Sequence, residues 1–407
     1  MARTVASVGP DIAEASDGAE TRVLLYLKGF GPGGVERIAL RLADGLRSAG
    51  IDIAVIVGAA TGPMQPPSGH CSVAKPWPVV GTRLPIVRIS VSLWRQIRHA
   101  PPALLFCPGN AYTVVAVLLK LLLGKACPPI VAKISNDLQR RDLPRAVRPL
   151  YRLWLRIQGR TIDHFAVLSR PMAEEALAFL HVPSHRVHVV PNPVLDSVEP
   201  ASERPRHRLE VSGRRFVAVG RLERQKNYPA MLRAFAKGAR NGDSLTIFGE
   251  GRERAALAAL ATSLGISDRV AMPGHCCDVR TQLQAFDVLL LSSSYEGLPG
   301  AVIEALSAGL GIIATRCCAS ISDLLGQGAL GSLVDCGDEA AFAVAIETAS
   351  PGTPDRQTAM RKVRDCTIEA AVPAYAALFA AVIAERQMRI GKPRHTPLFV
   401  PATTRPA

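Results

Sequence analysis

Short apolar runs alternate with amphipathic helical patterns along almost the whole 407-residue chain. The first run is Val23–Leu27, which is followed by a helical pattern over Gly34–Ala49 and a second apolar run at Ile53–Val57. This alternation is the signature of βαβ units, whose strands align in parallel. The order restarts downstream, with strands predicted at Phe216–Val219, Leu245–Phe248, Val270–Met272, Val288–Leu291 and Ile312–Thr315. The pattern predicts an α/β protein with two Rossmann-like, doubly wound parallel sheets.

Domain boundaries follow from a change in composition between the two halves. Residues 196–215 are polar, charged and proline-containing, without sustained periodicity, which is typical of a linker. We expect a disordered lead-in (1–20), a first domain (21–195), this linker (196–215), a second domain (216–368), a C-terminal helix that packs back towards the first domain (369–390) and a disordered tail (391–407). Two such domains place a ligand cleft between them, at the carboxyl ends of their strands.

Charge and cysteine content limit the classes of function. Lys and Arg number 48 against 34 Asp and Glu, so the formal net charge of +14 favours contact with an anionic surface. Aromatic residues make up only 5% of the chain and are not interleaved with the basic clusters, so binding to nucleic acid is not expected. The nine cysteines form no C-x-x-C pair, which argues against a disulfide scaffold or a zinc module and fits a cytoplasmic protein.

The segment Val288–Thr315 is the most informative one for function. It has the pattern of a strand, a loop, a helix and a strand, with Pro299 at the helix start. Free N–H groups around Gly300 would carry partial positive charge and suit a phosphate, and Glu304 could accept hydrogen bonds from sugar hydroxyls. Glu296 lies in the preceding loop, eight residues before Glu304. From the spacing alone, two solvated surface carboxylates explain the pattern equally well.

A second cluster follows the predicted strand Phe216–Val219. Gly220 allows the chain to turn there, and Asn227 together with Pro229 indicates the start of a helix near Pro229. Arg221 and Lys226 lie between these two points and suit a diphosphate group. Ordinary loop charges on a basic protein are the alternative interpretation.

A third cluster is the glycine-rich loop Gly29–Glu36, directly after the first predicted strand. Its glycines permit close approach of the backbone to a ligand and offer N–H groups to an anion. The spacing is neither a Walker A loop nor a G-x-G-x-x-G fingerprint, and Glu36 disfavours phosphate, so nucleoside triphosphate hydrolysis and NAD binding lose support. A plain tight turn is the alternative.

Taken together, these loops resemble the motifs of glycosyltransferase family 4, the retaining nucleotide-sugar transferases of the GT-B fold, including relatives of the capsule and lipid-linked oligosaccharide type. The segment GPGGVERIALRLADGL resembles the family's N-terminal glycine loop, and Val189–Val194 resembles the segment that crosses between domains. The run VGRLERQKN is similar to the diphosphate loop, and Phe248–Arg254 to the strand and turn that follow it. EGLPGAVIE is similar to the E-x7-E signature.

The resemblance implies a role for each matching residue. Arg221 and Lys226 would neutralise the leaving diphosphate, so neither a metal nor another cofactor is expected, and Glu296 would bind hydroxyls of the transferred sugar. These three would be the catalytic residues, and Glu304 would bind the ribose hydroxyls. The donor-binding set would be completed by Gly33, Gly34, Gly220, Gly297, Leu298, Pro299 and Gly300. The anomeric configuration would be retained, through front-face attack on an oxocarbenium-like state.

Two segments depart from the family pattern. Many relatives carry a histidine near the anomeric carbon where this chain has Leu105–Asn110, and Asn110 is the expected substitute contact. Relatives also carry a Pro-Ser-Gly sequence and an Arg-Glu pair where this chain has Cys317–Asp323. These departures leave open a catalytically silent family member that acts as a binding or scaffold subunit.

The acceptor side is predicted from a stripe of arginines in the first half. Arg145, Arg148, Arg152, Arg156 and Arg160 recur at helical spacing, which predicts a basic amphipathic helix. Such a helix can lie against anionic lipid or hold a pyrophosphate-linked acceptor, and Arg83–Arg98 offers a second segment of this type. A solvated basic face is the alternative interpretation.

The sequence therefore predicts a metal-independent, retaining glycosyltransferase. It would move a sugar from a nucleoside diphosphate sugar, with UDP favoured over GDP, to a hydroxyl of a cell-envelope glycan or lipid-linked oligosaccharide. It would be cytoplasmic, with peripheral contact to the anionic inner face of the cytoplasmic membrane. A transferase that makes a soluble glycoside or disaccharide is the alternative within the same class.

Overall fold

The computed structural model describes residues 22–31, 33–59, 61–62, 64, 71–73, 85–140, 142–197, 213–276 and 278–391. The predicted lead-in, residues 198–212 of the predicted linker and residues 392–407 of the predicted tail lie outside this part of the chain.

The chain divides into two compact units. Unit 1 comprises residues 1–135, 145–193 and 368–407, and unit 2 comprises residues 136–144 and 194–367, in each case as far as they are described. The first domain was predicted to be continuous over 21–195, and the structure departs from this at 136–144. The Asp137 N–H donates to the Glu296 carbonyl at 3.2 Å, and the Arg140 guanidinium lies 4.9 Å from the centre of the Tyr295 ring, which attaches this segment to unit 2.

The sheet of unit 1 is parallel throughout, with strand order β3-β2-β1-β4-β5-β6-β7. Its elements are β1 (Val23–Leu27), α1 (Gly34–Ser48), β2 (Ile53–Val57), β3 (Cys71–Val73), α2 (Pro85–His99), β4 (Leu104–Cys107), α3 (Thr113–Leu123), β5 (Ile130–Lys133), α4 (Arg148–Thr161), β6 (His164–Val167), α5 (Arg170–Leu180) and β7 (Val187–Val189). Helices cover both faces of such a sheet, so β1, β2, β4, β5 and β6 are buried at every position.

The sheet of unit 2 is also parallel, with strand order β10-β9-β8-β11-β12-β13. Its elements are β8 (Arg215–Val219), α6 (Tyr228–Gly238), β9 (Ser244–Phe248), α7 (Arg254–Ser263), β10 (Val270–Gly274), α8 (Val279–Leu283), β11 (Val288–Leu291), α9 (Gly300–Ser307), β12 (Gly311–Thr315), α10 (Ala319–Leu324), β13 (Ser332–Val334), α11 (Glu339–Thr348) and α12 (Arg356–Arg364). The two parallel sheets with their helical layers confirm the predicted fold class.

The last described helix, α13 (Ile368–Arg389), belongs to unit 1. Among the described helices it alone is long and apolar enough to cross a membrane. Its Tyr375 and Phe379 rings are nevertheless fully buried and lie 5.7 Å and 5.3 Å from the ring of Phe106 on β4. This is the packing of a core helix.

Both sheets reverse their strand order at one point. In unit 1 the reversal lies between β1 and β4, and in unit 2 between β8 and β11, where Phe216 pairs with Val288. Loops that leave the carboxyl ends of two such strands turn to opposite faces of the sheet, which opens a crevice between them. Each unit therefore has one favoured ligand-binding edge.

Candidate active site

The loop after β8 carries the two predicted diphosphate-binding cations. The N–H of Gly220 donates to the Phe248 carbonyl at 2.9 Å, and a single 3-10 turn over Arg224–Lys226 leads into α6. The helix predicted to start near Pro229 begins one residue earlier, at Tyr228. Asn227 occupies the cap position in a left-handed conformation (φ 48°) and makes no capping hydrogen bond with its side chain.

The loop after β11 is joined to the β8 loop by three hydrogen bonds. The Ser292 hydroxyl donates to the Lys226 carbonyl at 2.7 Å, and the Ser294 N–H donates to the Gln225 carbonyl at 2.8 Å. The Gln225 side-chain amide in turn donates to the Tyr295 carbonyl at 2.9 Å. These bonds fix the position of one loop relative to the other. Sequence reasoning missed Gln225 and the serines, because nothing in the order of the residues indicates which loop they would bond.

Lys226 and Glu296 form an ion pair between the two loops. The Lys226 Nζ lies 2.6 Å from Glu296 Oε1, and the two side chains are 17% and 13% exposed. The same carboxylate oxygen accepts a hydrogen bond of 2.8 Å from the Ser293 hydroxyl. The resemblance assigned the cation to the diphosphate and the carboxylate to the sugar, and the structure pairs them with each other.

Glycine at position 220 fits both the backbone, which has a φ of 156°, and the path of the lysine side chain. A Cβ atom there would lie 2.6 Å from Lys226 Cε and 3.1 Å from the Tyr228 hydroxyl oxygen. Contacts this close would force the lysine to move. Gly220 therefore lets Lys226 lie across the strand end and reach Glu296.

Arg221 is exposed at the same edge of the sheet. It is close enough to Tyr295 to affect that phenol: burial raises the pKa of Tyr295, and the positive charges of Arg140 and Arg221 oppose the rise. Arg221 thus adds a second positive charge beside the ion pair, in a position that water can reach.

Glu304 lies on α9, the helix that follows the Glu296 loop, and is only 5% exposed. The helix begins at Gly300 after Pro299, and no side chain caps its amino end. Gly297 and Pro299 are buried, and Leu298 and Gly300 are half-buried. The structure therefore brings all the predicted donor-binding residues of the second half to the β8–β11 edge of unit 2.

The predicted donor-binding glycines of the first half, Gly33 and Gly34, lie at the start of α1 in unit 1. Beside them, the Tyr112 hydroxyl donates to Glu36 Oε1 at 2.7 Å and accepts from the Lys28 N–H at 3.2 Å. Burial and the neighbouring Glu36 charge raise the pKa of Tyr112, which keeps its proton on the hydroxyl. Glu36 is thus held at the helix start by a neutral donor.

Asn110 lies just after β4, at the favoured edge of unit 1. Its Oδ1 accepts hydrogen bonds from the Ser135 backbone N–H at 2.8 Å and from the Ser135 hydroxyl at 3.3 Å. The side-chain carbonyl therefore ties together the ends of β4 and β5. Burial raises the pKa of the nearby Cys107 thiol to about 12, so this thiol is not poised as a nucleophile.

A buried lysine at the end of β5 was not predicted. Lys133 is 3% exposed, and its Nζ donates to Asn192 Oδ1 at 2.9 Å. Burial lowers the pKa of Lys133 to about 7. A charged residue at the end of the apolar run Ile130–Ala132 was the only available signal in the sequence.

Part of the segment Cys317–Asp323, which differs from the family pattern, lies beside Glu296. Cys317 is buried, and a hydrogen bond with Cys318, burial and the Glu296 charge all raise the pKa of the Cys317 thiol. Asp323 is exposed and lies 3.7 Å from the Lys362 ammonium. Within the described ranges, no group of three or more His, Cys, Asp or Glu side chains could hold a metal ion.

The predicted acceptor-side arginines occupy the start of α4. Arg148 and Arg152 lie on the helix, and Arg145 lies in the turn before it. The predicted basic helix also exposes apolar side chains, since Leu150 and Leu153 are 68% and 50% exposed. The buried residues of α4 are Leu155, Gln158 and Gly159.

The neighbouring helix α3, which packs against α4, is also exposed on one side. Leu121 and Leu122 are 68% and 62% exposed. We call the following residues the α3–α4 apolar surface: Val114, Leu118, Leu121, Leu122, Val147, Leu150 and Leu153.

Comparisons with known proteins agree with this architecture. Residues 32–197 match the family model described as Glycosyltransferase Family 4, and residues 201–364 match the model described as Glycosyl transferases group 1. The lipopolysaccharide core biosynthesis glycosyltransferase LpsE of Rhizobium meliloti is 36% identical over 131 residues, which cover 32% of this chain and 38% of LpsE. The lipopolysaccharide 1,6-galactosyltransferase of Escherichia coli is 32% identical over 164 residues, which cover 38% of this chain and 44% of that enzyme.

The matched region thus spans about two fifths of these curated relatives. Among solved structures, Anabaena HepE in complex with UDP and glucose superimposes with a TM-score of 0.63 at 16% identity, over 91% of this chain and 98% of HepE. At this identity the likeness shows a shared fold.

Proposed function

The chain belongs to the group 1 and family 4 glycosyltransferases, and from this premise we propose that it transfers a sugar from a nucleoside diphosphate sugar to a hydroxyl group with retention of configuration. One observation carries the proposal. Lys226 and Glu296 form an ion pair at the strand-reversal edge of unit 2, where Arg221 shares the loop of Lys226 and Glu304 lies on the helix that follows the loop of Glu296. Two cations beside two carboxylates match a donor that carries both a diphosphate and sugar hydroxyls.

The cations act on the leaving group. As the glycosidic bond to the diphosphate breaks, negative charge grows on the leaving oxygen, and a fixed positive charge nearby stabilises it. Hydrogen bonds to the loop after β11 hold the backbone of Lys226 in place, so only the ammonium group has to exchange Glu296 for the diphosphate. Lys226 and Arg221 thereby supply the charge that other transferases take from a divalent metal.

The carboxylates act on the hydroxyl groups. Glu304, buried on the first turns of α9, accepts hydrogen bonds from the ribose, and the N–H groups at the start of that helix face the phosphates. Glu296 accepts hydrogen bonds from the transferred sugar, with the Ser293 hydroxyl fixing one of its oxygens. In the free protein Lys226 neutralises Glu296, and the donor replaces that contact when it binds.

We favour UDP as the nucleotide and a cell-envelope glycan or lipid-linked oligosaccharide as the acceptor. The fold is shared with HepE, which was solved with UDP and glucose, and the similar curated relatives are named for lipopolysaccharide synthesis. These names support the substrate class by similarity of sequence and fold.

The α3–α4 apolar surface supports peripheral contact with a membrane. Exposed leucines on α3 and α4 lie next to Arg145, Arg148 and Arg152, and the stretch from residue 138 to 162 contains a single acidic residue, Asp142. Apolar side chains can enter the lipid interface while arginines meet anionic head groups. Such contact would bring the enzyme to a lipid-linked acceptor on the cytoplasmic face.

The proposal is tested by calorimetric titration of the purified protein with UDP, GDP, ADP and UDP-sugars, with and without a chelator. We expect UDP to bind in the presence of the chelator and Lys226→Ala to weaken that binding about tenfold or more. Lys237→Ala is the matched control, because Lys237 is an exposed lysine on the neighbouring helix α6. Failure of a folded protein to bind any nucleotide would favour a silent binding or scaffold subunit instead.

A further inference from the structure

A cavity of about 240 Å³ opens in unit 1 at the amino ends of β5 and β6. Its walls come from α3, α4 and α13 and from the segment before β7. We call it the basic cavity, because five cationic side chains line it: Lys120, Arg160, Arg186, Arg386 and Arg389. Among the residues that the structure describes, only two carboxylates line it, those of Asp163 and Glu385.

Within unit 1, the basic cavity is separate from the predicted site residues. The predicted donor- and acceptor-side residues Gly33, Gly34 and Asn110 follow the carboxyl ends of β1 and β4, whereas the basic cavity lies at the opposite ends of the strands. A four-residue strand such as β5 is about 13 Å long, so the sheet itself separates the two places.

The two carboxylates are already paired. Lys120 Nζ lies 2.6 Å from Asp163 Oδ2, which also accepts from the Ile130 N–H at 2.8 Å. Glu385 lies 2.5 Å from the Arg389 guanidinium and 3.2 Å from His164 Nε2. Burial lowers the pKa of His164, so at neutral pH it adds no charge.

The other three cations that line the cavity, Arg160, Arg186 and Arg386, are guanidinium groups that neither of these carboxylates neutralises. Arg186 donates to the carbonyls of Asp163 and Gly159 at 2.6 Å and 2.9 Å, and Arg386 donates to the Lys125 carbonyl. Carbonyl oxygens orient a guanidinium but do not neutralise it. Arg160, at the end of α4, is exposed at the cavity. The concave surface therefore carries an excess of three positive charges, and a concave wall concentrates their field.

We propose that the basic cavity binds a phosphate-bearing anion, either a free phosphate or diphosphate compound or the phosphate of a lipid head group. Arginine presents planar pairs of N–H donors that match phosphate oxygens. The volume is several times the ~30 Å³ that one water molecule occupies, so it admits a diphosphate as well as a single phosphate. Glu385 is the group that an entering anion must displace or pass.

The first test is calorimetric titration of the full chain with inorganic pyrophosphate, carried out in Lys226→Ala protein so that the donor site contributes little. We expect Arg160→Ala and Arg386→Ala to weaken binding about tenfold or more. Arg156→Ala is the matched control, because Arg156 is equally exposed one turn earlier on α4 and does not line the cavity. Equal losses in all three variants would overturn the proposal in favour of general attraction to a basic protein.

A gain of affinity provides the second test. Glu385→Gln removes the carboxylate that faces the anion and releases Arg389, so pyrophosphate should bind several-fold more tightly. A purely structural role for this cluster predicts no gain, and an unchanged or weaker affinity in a folded variant would contradict the site.

Vesicles distinguish the two sources of phosphate. If a head group is the ligand, Arg160→Ala lowers binding to phosphatidylglycerol vesicles, and pyrophosphate competes with them. If the ligand is soluble, pyrophosphate binds without displacing vesicles. Both results support the site. The proposal would be overturned if Arg160→Ala and Arg386→Ala changed neither pyrophosphate binding nor vesicle binding.

Discussion

Lys226 and Glu296 form an ion pair of 2.6 Å although 70 residues separate them in the chain. They meet because β8 and β11 are hydrogen-bonded neighbours at the point where the strand order reverses. The loops after these strands therefore open over the same crevice. In the absence of donor, the Glu296 carboxylate is paired with Lys226, the cation that the diphosphate needs.

Replacing Glu296 should separate binding from turnover. Glu296→Gln removes the competitor for Lys226, so we expect UDP to bind about threefold or more tightly. Turnover should fall about 100-fold, because the contact to the transferred sugar is lost. Calorimetry and a sugar-transfer assay measure the two effects, and Glu347→Gln, at an exposed position of α11, is the control. Weaker UDP binding in Glu296→Gln would show that Lys226 does not contact the diphosphate.

Gly34→Ala tests whether a ligand approaches the start of α1. A Cβ at this position meets no described atom within 4 Å, so the free energy of unfolding should change by less than about 0.5 kcal/mol. If donor phosphates lie against this backbone, donor affinity should nevertheless fall, since the methyl group occupies their place. Urea denaturation and donor titration measure the two quantities. Unchanged donor affinity would remove Gly34 from the site.

Gly33→Ala is the contrasting variant at the neighbouring position. Here the Cβ would collide with Glu36 Oε2, so the carboxylate must shift, and we expect this to weaken the hydrogen bond that Tyr112 donates to Oε1. We expect a loss of about 1 kcal/mol in the free energy of unfolding. In a Tyr112→Phe background this hydrogen bond is already absent, so there Gly33→Ala should change the free energy of unfolding much less than it does in the wild type. If Gly33→Ala lowers the free energy of unfolding by the same amount in the Tyr112→Phe background, its effect comes from strain elsewhere in the loop.

Lys133 should make stability depend on pH. Burial lowers the pKa of Lys133 from its ordinary value of 10.5 to about 7 in the folded chain, so between these values the unfolded state binds the extra proton. The free energy of unfolding therefore rises with pH between about 7 and 10.5. Below about pH 7 the buried ammonium is charged and the protein is least stable with respect to this group. The difference in unfolding free energy between wild type and Lys133→Met should shift in favour of wild type from about pH 6 to about pH 9. Urea denaturation at several pH values measures it, and a flat difference would contradict the burial of a titrating lysine.

Membrane contact can be tested on the α3–α4 apolar surface. Leu121→Gln and Leu150→Gln should each lower partitioning onto anionic vesicles about tenfold, because burial of a leucine contributes roughly 1.5–3 kcal/mol. Val344→Gln is the control, since Val344 is exposed on α11 of unit 2. Arg152→Gln should lower binding to anionic vesicles only, and less so at high salt. Equal binding of all variants would exclude this surface as the contact.

The fold was predictable because the strands are short, apolar and separated by clear helix patterns. Val23–Leu27 and Val288–Leu291 were predicted with the bounds that the structure shows, and the helix predicted to start at Pro299 begins one residue later, at Gly300. Strands buried on both faces consist mostly of apolar residues, so the ends of their apolar runs lie close to their limits.

Contacts between loops were much less predictable. The pairing of Lys226 with Glu296, the hydrogen bond that Ser135 donates to Asn110 and the burial of Lys133 depend on which strands become neighbours. The exposure of Leu150 and Leu153 also escaped prediction, because helical spacing shows which residues share a face but not which face meets the sheet.

The chain passes between its two units after residues 135, 144, 193 and 367. The two halves are therefore not interchangeable modules with a single joint. A chimera joined near residue 195 would leave α13 on the wrong parent, so that Tyr375 and Phe379 would have to fit a foreign Phe106. Residues 136–144 would then come from one parent and their contacts at Tyr295 and Glu296 from the other. Recombination between relatives, in the laboratory or in evolution, should therefore succeed only when the C-terminal helix travels with the first half and this nine-residue segment travels with the second.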